Sequence, residues 1–425
     1  MFFAVQDGGQ SAAVLVAPES AMHGPTIAGI PVAFVLFALT LVGVALFHHR
    51  TLQVALIGLA TITAYKLIFT TFDGLAGFAG LAMHMSHEWV VLTNLFGLLV
   101  GFALLSDHFE KSRIPAMLPA VLPNDWRGPV VLLVMIFVLS TFLDNIAAAI
   151  IGGTIAASVF RGKVHIGYLA AIVAASNAGG SGSVVGDTTT TMMWISGVSA
   201  VEVLHAFVPA AVALAVFAVP AALKQQAYSP IVFDTSPGLR IDWPRVAIVC
   251  IVLGLAIVAN VVVNVRFTEI ADQFPFIGTA VWVALLMTAP WRAPDWRLVP
   301  NAVSGSIFLL SLVTCASMMP VESLPAPSWE TTLGLGFVSA VFDNIPLTKL
   351  ALEQGGYDWA PVAYAVGFGG SMIWFGSSAG VAISTRFPEA KSVFAWLRHG
   401  WYVALAYVAG FAAYMAVYGF HPDPL

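Results

Sequence analysis

Three aspartates stand in runs that are otherwise apolar or glycine-rich: Asp144 in TFLDNIAAAI, Asp343 in AVFDNIPLTKL, and Asp187 in SNAGGSGSVVGDTTTTMMW, residues 176–194. Two of them precede an asparagine, Asn145 and Asn344, and Asp187 precedes a threonine run of which Thr188 and Thr189 are the first hydroxyls. A carboxylate withdrawn from water does not stand bare; it takes a proton or a cation, so H+ and Na+ compete for the same oxygens. Glycines beside it let a helix unwind, and the freed carbonyls, with Ser and Thr hydroxyls, are oxygen ligands for a small cation. The chemistry these residues suit is reversible cation binding in exchange for protons, with Na+ expected at the Asp144/Asp187/Asp343 cluster.

The elements that must position them are helices in lipid. Of 425 residues 59% are hydrophobic and 9% charged, mean hydropathy is +0.90, and several stretches approach the roughly 20 residues needed to cross a bilayer. The chain reads as an all-α polytopic membrane protein. Its formal charge of −5 comes with no basic stripe, which excludes an electrostatic footprint for nucleic acid. Cys250 and Cys315 sit inside apolar runs, offer no disulfide framework or metal spacing, and are expected as buried small hydrophobes. Residues 1–26 contain no Lys or Arg and are expected to form a non-membrane leader.

Candidate spans run over 27–47, 51–69, 89–105, 165–198, 201–222, 246–265, 277–289, 301–319, 359–385 and 399–419. Two further apolar segments do not fit as single crossings. Segment 129–160 has Lys111, Arg113 and Arg127 before it and Arg161 and Lys163 after it, so both its ends are expected in the cytoplasm. Segment 331–352 is flanked by Glu322, Glu330, Glu353 and Asp358 and is expected to have both ends outside. With both read as re-entrant hairpins, nearly all Lys and Arg fall on the cytoplasmic side, Arg266 being the main exception, and both termini face outward. Trp126, Trp243, Trp291, Trp296, Trp329 and Trp359 lie near span ends, where an aromatic belt is expected.

The halves answer each other. GGSGSVVGDT pairs with GGSMIWFGSS: Gly179, Gly180 and Ser181 with Gly369, Gly370 and Ser371, and Gly186, Asp187 and Thr188 with Gly376, Ser377 and Ser378. The offset is 190 residues there and 199 between the two DN pairs. Each half is two spans, a third span, a hairpin, a broken span and a closing span, and an odd number of crossings gives the halves opposite topology. The expected organisation is a first repeat over 27–222, a cytoplasmic linker over 223–245 and a second repeat over 246–425. Such two inverted-topology repeats of about five spans, each with a re-entrant helical hairpin and a broken helix (165–198, 359–385), are a transporter signature. Two hairpin tips and two broken helices meeting near the midplane are expected to bring the three aspartates toward one cavity, with hairpin one as the cytoplasmic gate and hairpin two as the outer gate.

At SNAGGSGSVVGDTTTTMMW, FDNIPL and GFGGSMIWFGSSAGVA the chain resembles the NhaD-type sodium/proton antiporters, part of the ion transporter superfamily that also contains arsenite permeases and dicarboxylate transporters. The resemblance extends over residues 27–419. It implies exchange of Na+ (or Li+) for H+, no bound cofactor, a scaffold part and a transport part in a homodimer, and residence in a bacterial inner (plasma) membrane. Asp144, Asn145, Asn177, Asp187, Asp343 and Asn344 match the ion-site motifs. Lys349 departs from the pattern, which is apolar there; it is expected either as an internal counter-ion to Asp343 or Asp187, or snorkelling to the outer surface.

Two rival readings stand beside this one. A carrier of arsenite or small carboxylate anions could use the same scaffold, although three aspartates oppose an anion. Gly179–Gly182 spell G-x-S-G, and an intramembrane protease would need a His facing Ser181; His165, His205 and His399 have no spacing that provides one. HMSHE (His84, His87, Glu88) could hold a metal or sense pH, but reads first as a satisfied interfacial cluster. Lys66 is expected to snorkel, and Asn260 and Asn264 to make interhelical contacts.

Overall fold

The computed structural model describes residues 24–47, 50–72, 74–117, 122–232, 240–267, 270 and 273–423. Most of the expected leader, and part of the expected linker, lie outside the described residues. The first half runs α1 Val32–Leu46, α2 Thr51–Phe69, α3 Gly77–Lys111, α4 Arg127–Ser140, α5 Asn145–Val159, α6 Ile166–Ser181, α7 Thr188–Ile195, α8 Ala200–His205 and α9 Phe207–Tyr228. The second runs α10 Trp243–Arg266, α11 Phe276–Thr288, α12 Val299–Ser317, α13 Trp329–Ser339, α14 Asn344–Gln354, α15 Trp359–Gly369, α16 Ser378–Arg386 and α17 Val393–Val417. The only strands among the described residues are four of two residues each, paired as Thr26–Ile27 with Ile30–Pro31 and Thr71–Phe72 with Leu75–Ala76.

Six described stretches are long and apolar enough to cross a membrane: α2, α3, α8 with α9, α10, α12 with the turn before it, and α17. The chain is therefore an integral membrane protein. The stretches expected at 165–198 and 359–385 are each two short helices, because glycine-rich segments end α6 and α15 before they could span. Segments 129–160 and 331–352 are likewise helix, break, helix. In the first, the chain folds back: Gly152 of α5 faces Ile136 of α4, the two lying equally far from Asp144. In the second, Ser328 and Thr331 close a capping box at the start of α13, and Gly355, at φ +66, ends α14.

Packing is reciprocal between the halves. α4 packs on α6 as α13 packs on α15, α5 on α16 as α14 on α7, α6 on α17 as α15 on α9, and α9 on α17. The broken helices α6 and α15, buried along their whole length, form the centre of the largest apolar core. α3, α10 and α11 share a separate core, and α1, α2 and α12 pack beside it. A small third cluster, Leu95, Met192, Leu309, Val313 and Ile345, joins the two groups.

Three expectations change. Trp359 is 1% exposed, not in a belt: α15 starts inside the protein, and the indole donates to the carbonyl of Asp423. Cys250 is exposed, on the outward face of α10, while Cys315 is buried. α3 starts at Gly77, not near 89, because the polar residues before the expected span are satisfied within the fold: the His84 ring bonds Ser317 Oγ at 3.0 Å, and Glu88 is ion-paired.

Candidate functional site

The breaks place the candidate residues. Asp144 caps α5 with φ −51, ψ 137 and Asp343 caps α14 with φ −55, ψ 139. Asp187 caps α7 with φ −141, ψ 142, and its counterpart Ser377 caps α16 with φ −143, ψ 153. Short polar side chains recur at helix starts because they satisfy amides the helix cannot. Asp187 Oδ1 accepts from the Thr189 amide at 3.3 Å, Asp343 Oδ1 from the Ile345 amide at 3.1 Å.

The matched glycines do matched work. A methyl on Gly180 would sit 2.8 Å from the Gly186 carbonyl oxygen, and one on Gly370 2.6 Å from that of Gly376. Gly179 and Gly369 press on the backbones of α4 and α13, at Phe137 and Gly336, and Gly186 and Gly376 lie against the carbonyls of Ser140 and Ala340. These glycines fold each break back against the outer helix of its own hairpin.

Asn177 is the hub between the halves. It accepts from Asn145 Nδ2 at 3.1 Å and donates to Ser371 Oγ at 2.9 Å and Ser377 Oγ at 3.1 Å. All four residues are buried. Asn344, the counterpart of Asn145, is also buried, and its Nδ2 has no hydrogen-bond partner. Ser181 Oγ donates back to the Ala178 carbonyl at 2.9 Å, and His165 caps the opposite end of the same helix. The described residues therefore give Ser181 no histidine base, and the protease reading has no geometry.

The threonine run divides in function. Thr190 and Thr191 donate to the carbonyls of Ser183 and Val184 at 2.6 and 2.9 Å, so two carbonyls freed by the break are already taken. Thr188 faces a cavity, and Thr189 Oγ1 is buried without a partner. Asp187, 3% exposed, has one carboxylate oxygen, Oδ2, with no hydrogen bond.

Asp144 and Asp187 line one cavity of about 340 Å³, with Thr188 and Thr191, between α3, α5 and α12. Asp343, with Ser378 donating to its Oδ2 at 3.3 Å, lines a second cavity of about 180 Å³. α12 stands between the two, Leu309 on the first and Phe308 on the second. In this structure the three aspartates thus line two neighbouring cavities, and no group of three His, Cys, Asp or Glu among the described residues is placed to hold a metal ion. The first cavity also takes in Ser106, Glu110 and Ser306, which sequence reading did not single out. The signal for Ser106 and Glu110 was spacing: Leu95, Leu99, Phe102, Ser106 and Glu110 fall on one helical face.

Lys349 is a correction. Its ammonium does not pair with Asp343 or Asp187, and it does not snorkel. It is 5% exposed and lies 2.9 Å from Glu88 on α3 and 2.6 Å from Glu353, one turn on in α14. The side chain leaves the hairpin toward α3, away from its tip. Lys66 is held too, donating to the Met318 carbonyl at 2.8 Å.

No protein-family model matches the chain. Among curated proteins it is similar to sodium/proton antiporter 1 of Arabidopsis thaliana, 28% identical over 366 residues, 76% of this chain and 59% of that protein. It is 26% identical over 333 residues to the Na+/H+ antiporter NhaD of Alkalimonas amylolytica, 66% of this chain and 67% of the other. It is 28% identical over 299 residues to that of Vibrio cholerae, 58% and 61% respectively. The chain thus spans about three fifths of the length of the first of these relatives.

Proposed function

The chain is a member of the NhaD-type sodium/proton antiporter family, and on that premise we propose that it exchanges Na+ or Li+ for H+ at a site formed by Asp144 and Asp187. The observation that carries this is the Asp187 carboxylate: buried, held by one oxygen at the start of α7, its other oxygen without a hydrogen bond, in a residue that lines the same cavity as Asp144 and Thr188. A buried acceptor without a donor is costly. A proton on the carboxyl or a cation beside it removes the cost, and one excludes the other. That exclusion is the exchange step.

Access follows from the cavity's shape. It runs along α3 from Leu95 to Glu110, about 22 Å at the helical rise, and ends beside Lys111 on the side where Lys and Arg place the cytoplasm. We read the conformation as open to the cytoplasm. On the far side α14 of hairpin two is fastened to α3 through Lys349 and Glu88. Alternating access then requires α4–α7 and α13–α16 to shift against α1–α3 and α10–α12, with the fastening released when the outer side opens.

The matched backbone angles and reciprocal packing support inverted repeats with re-entrant hairpins, and with them an outward placement of both termini. A homodimer in a bacterial inner membrane follows from the family resemblance. The test is proton flux in everted vesicles or proteoliposomes, adding NaCl, LiCl or KCl to an established pH gradient. Na+ or Li+ should dissipate the gradient, and Asp187→Asn should abolish the response. A folded preparation that answers to no cation overturns the reading and favours arsenite or a small carboxylate anion as cargo.

A further inference from the structure

We propose that the cytoplasmic end of α3, where it meets the start of α10, is a binding site for the phosphates of an anionic phospholipid headgroup. Five cationic side chains, Lys111, Arg113, Arg240, Arg245 and Arg292, line one cleft of about 650 Å³ there. The whole chain has 17 Lys and Arg, so nearly a third of its positive charge converges on one place. Orienting spans in a membrane requires cations on one side; it does not require them to share a cleft.

Part of that charge is matched and part is not. Asp242 Oδ2 takes Arg292 Nε at 3.1 Å and Arg245 Nε at 3.5 Å. Lys111 Nζ lies 2.9 Å from both Asp107 and Asp295. Arg113 and Arg240, both exposed, have no carboxylate within ion-pair distance among the described residues. Five cations against three carboxylates leave two positive charges, the complement of a headgroup with two phosphates. The Asp242 amide donates to the Ser112 carbonyl at 3.0 Å, which ties the approach to α10 onto the end of α3 and sets Arg113 and Arg240 on one rim.

The depth of the cleft selects a lipid. Trp243 lines it and is 66% exposed, and Trp291, beside Arg292, is 55% exposed. Exposed tryptophans at span ends sit at headgroup level. A cationic pocket between helices at that level on the cytoplasmic side meets lipid phosphates, and each Lys or Arg there strengthens binding severalfold. The inference rests on the membrane-spanning reading and is independent of which ion is carried.

The test uses the full-length protein, delipidated in neutral detergent. Phosphatidylglycerol, cardiolipin, phosphatidylcholine or inorganic phosphate is added back, and lipid retention by native mass spectrometry and the thermal midpoint are read together. Cardiolipin and phosphatidylglycerol should be retained and should raise the midpoint, with phosphatidylcholine inert. Arg113→Gln/Arg240→Gln removes the two unpaired charges without breaking an ion pair and should weaken retention about 30-fold. Arg386→Gln/Arg398→Gln removes equal charge elsewhere on the same expected face and should leave retention intact. Equal loss in both double variants, no loss in the first, or equal protection by phosphatidylcholine would overturn the site. Equal protection by inorganic phosphate would reassign it to a soluble anion and overturn the lipid.

Discussion

Replacing Lys349 by Met should loosen hairpin two from α3, and the size of the effect can be worked from the geometry. At 2.9 Å from Glu88 and an effective dielectric constant of about 20, the pair attracts by roughly 6 kcal/mol before desolvation is subtracted. Glu353 can turn its partly exposed carboxylate to water, but Glu88 is 8% exposed and cannot. Its stranded charge sets the cost, which for a broken buried pair is about 3–5 kcal/mol. For a chain of this length about 1 kcal/mol moves a thermal midpoint by roughly 1 °C. The expected drop is therefore on the order of 3–5 °C by fluorescence-detected gel filtration. Lys349→Met/Glu88→Gln removes the stranded charge and keeps a hydrogen-bonding amide, so it should recover most of the loss. A single variant as stable as the parent, or a double variant no better than the single, would refute the account, because either outcome means that Glu88 is not held by Lys349.

Other perturbations separate the parts of the site. Asn177→Ala strands Asn145, Ser371 and Ser377 at once and should cost about 1–3 kcal/mol, read as the same midpoint shift, with Asn177→Ser recovering little. Gly180→Ala drives a methyl into the Gly186 carbonyl and should cost about 1–3 kcal/mol; a neutral result would mean the break can relax. Asp144→Asn should lower Na+-driven proton flux more than about tenfold, as loss of a charged ligand does, whereas Asp343→Asn, in the other cavity, should keep most of it; equal losses would argue for one shared site. Ser106→Cys should react with a membrane-impermeant thiol reagent from the cytoplasmic side only, and modification from the outside alone would reverse the assigned orientation.

The breaks were legible in the sequence because their cause is local. Glycines, a capping Asp or Ser and an abrupt loss of apolar residues mark 182–187 and 370–377, and the structure ends and restarts helices there. What stayed hidden was long-range. Lys349 and Glu88 lie 261 residues apart, and no local pattern reveals that the lysine's partner is on α3. The partition of the aspartates into two cavities depends on which face of α12 meets each hairpin, a matter of packing. Trp359 looked interfacial by position, but burial is decided by the segment near Asp423 that closes over it. The first third of α3 fell outside the expected span because its polar residues have their partners elsewhere in the chain.

Asn177 has no twin. The matched position in the second half is Gly367, and a methyl there would sit 3.2 Å from Asp187 Oδ2, so the second half leaves room at the point where the first half supplies an amide. One half brings the polar hub, and the other brings a glycine that leaves space beside the Asp187 carboxylate. A perfectly duplicated protein would rest equally in its two facing states; here the hydrogen bonds fasten the first half's broken helix to the second half's break and are not returned. In the proposed exchange cycle, that asymmetry would bias the resting balance between the two sides of the membrane before any ion gradient acts on it.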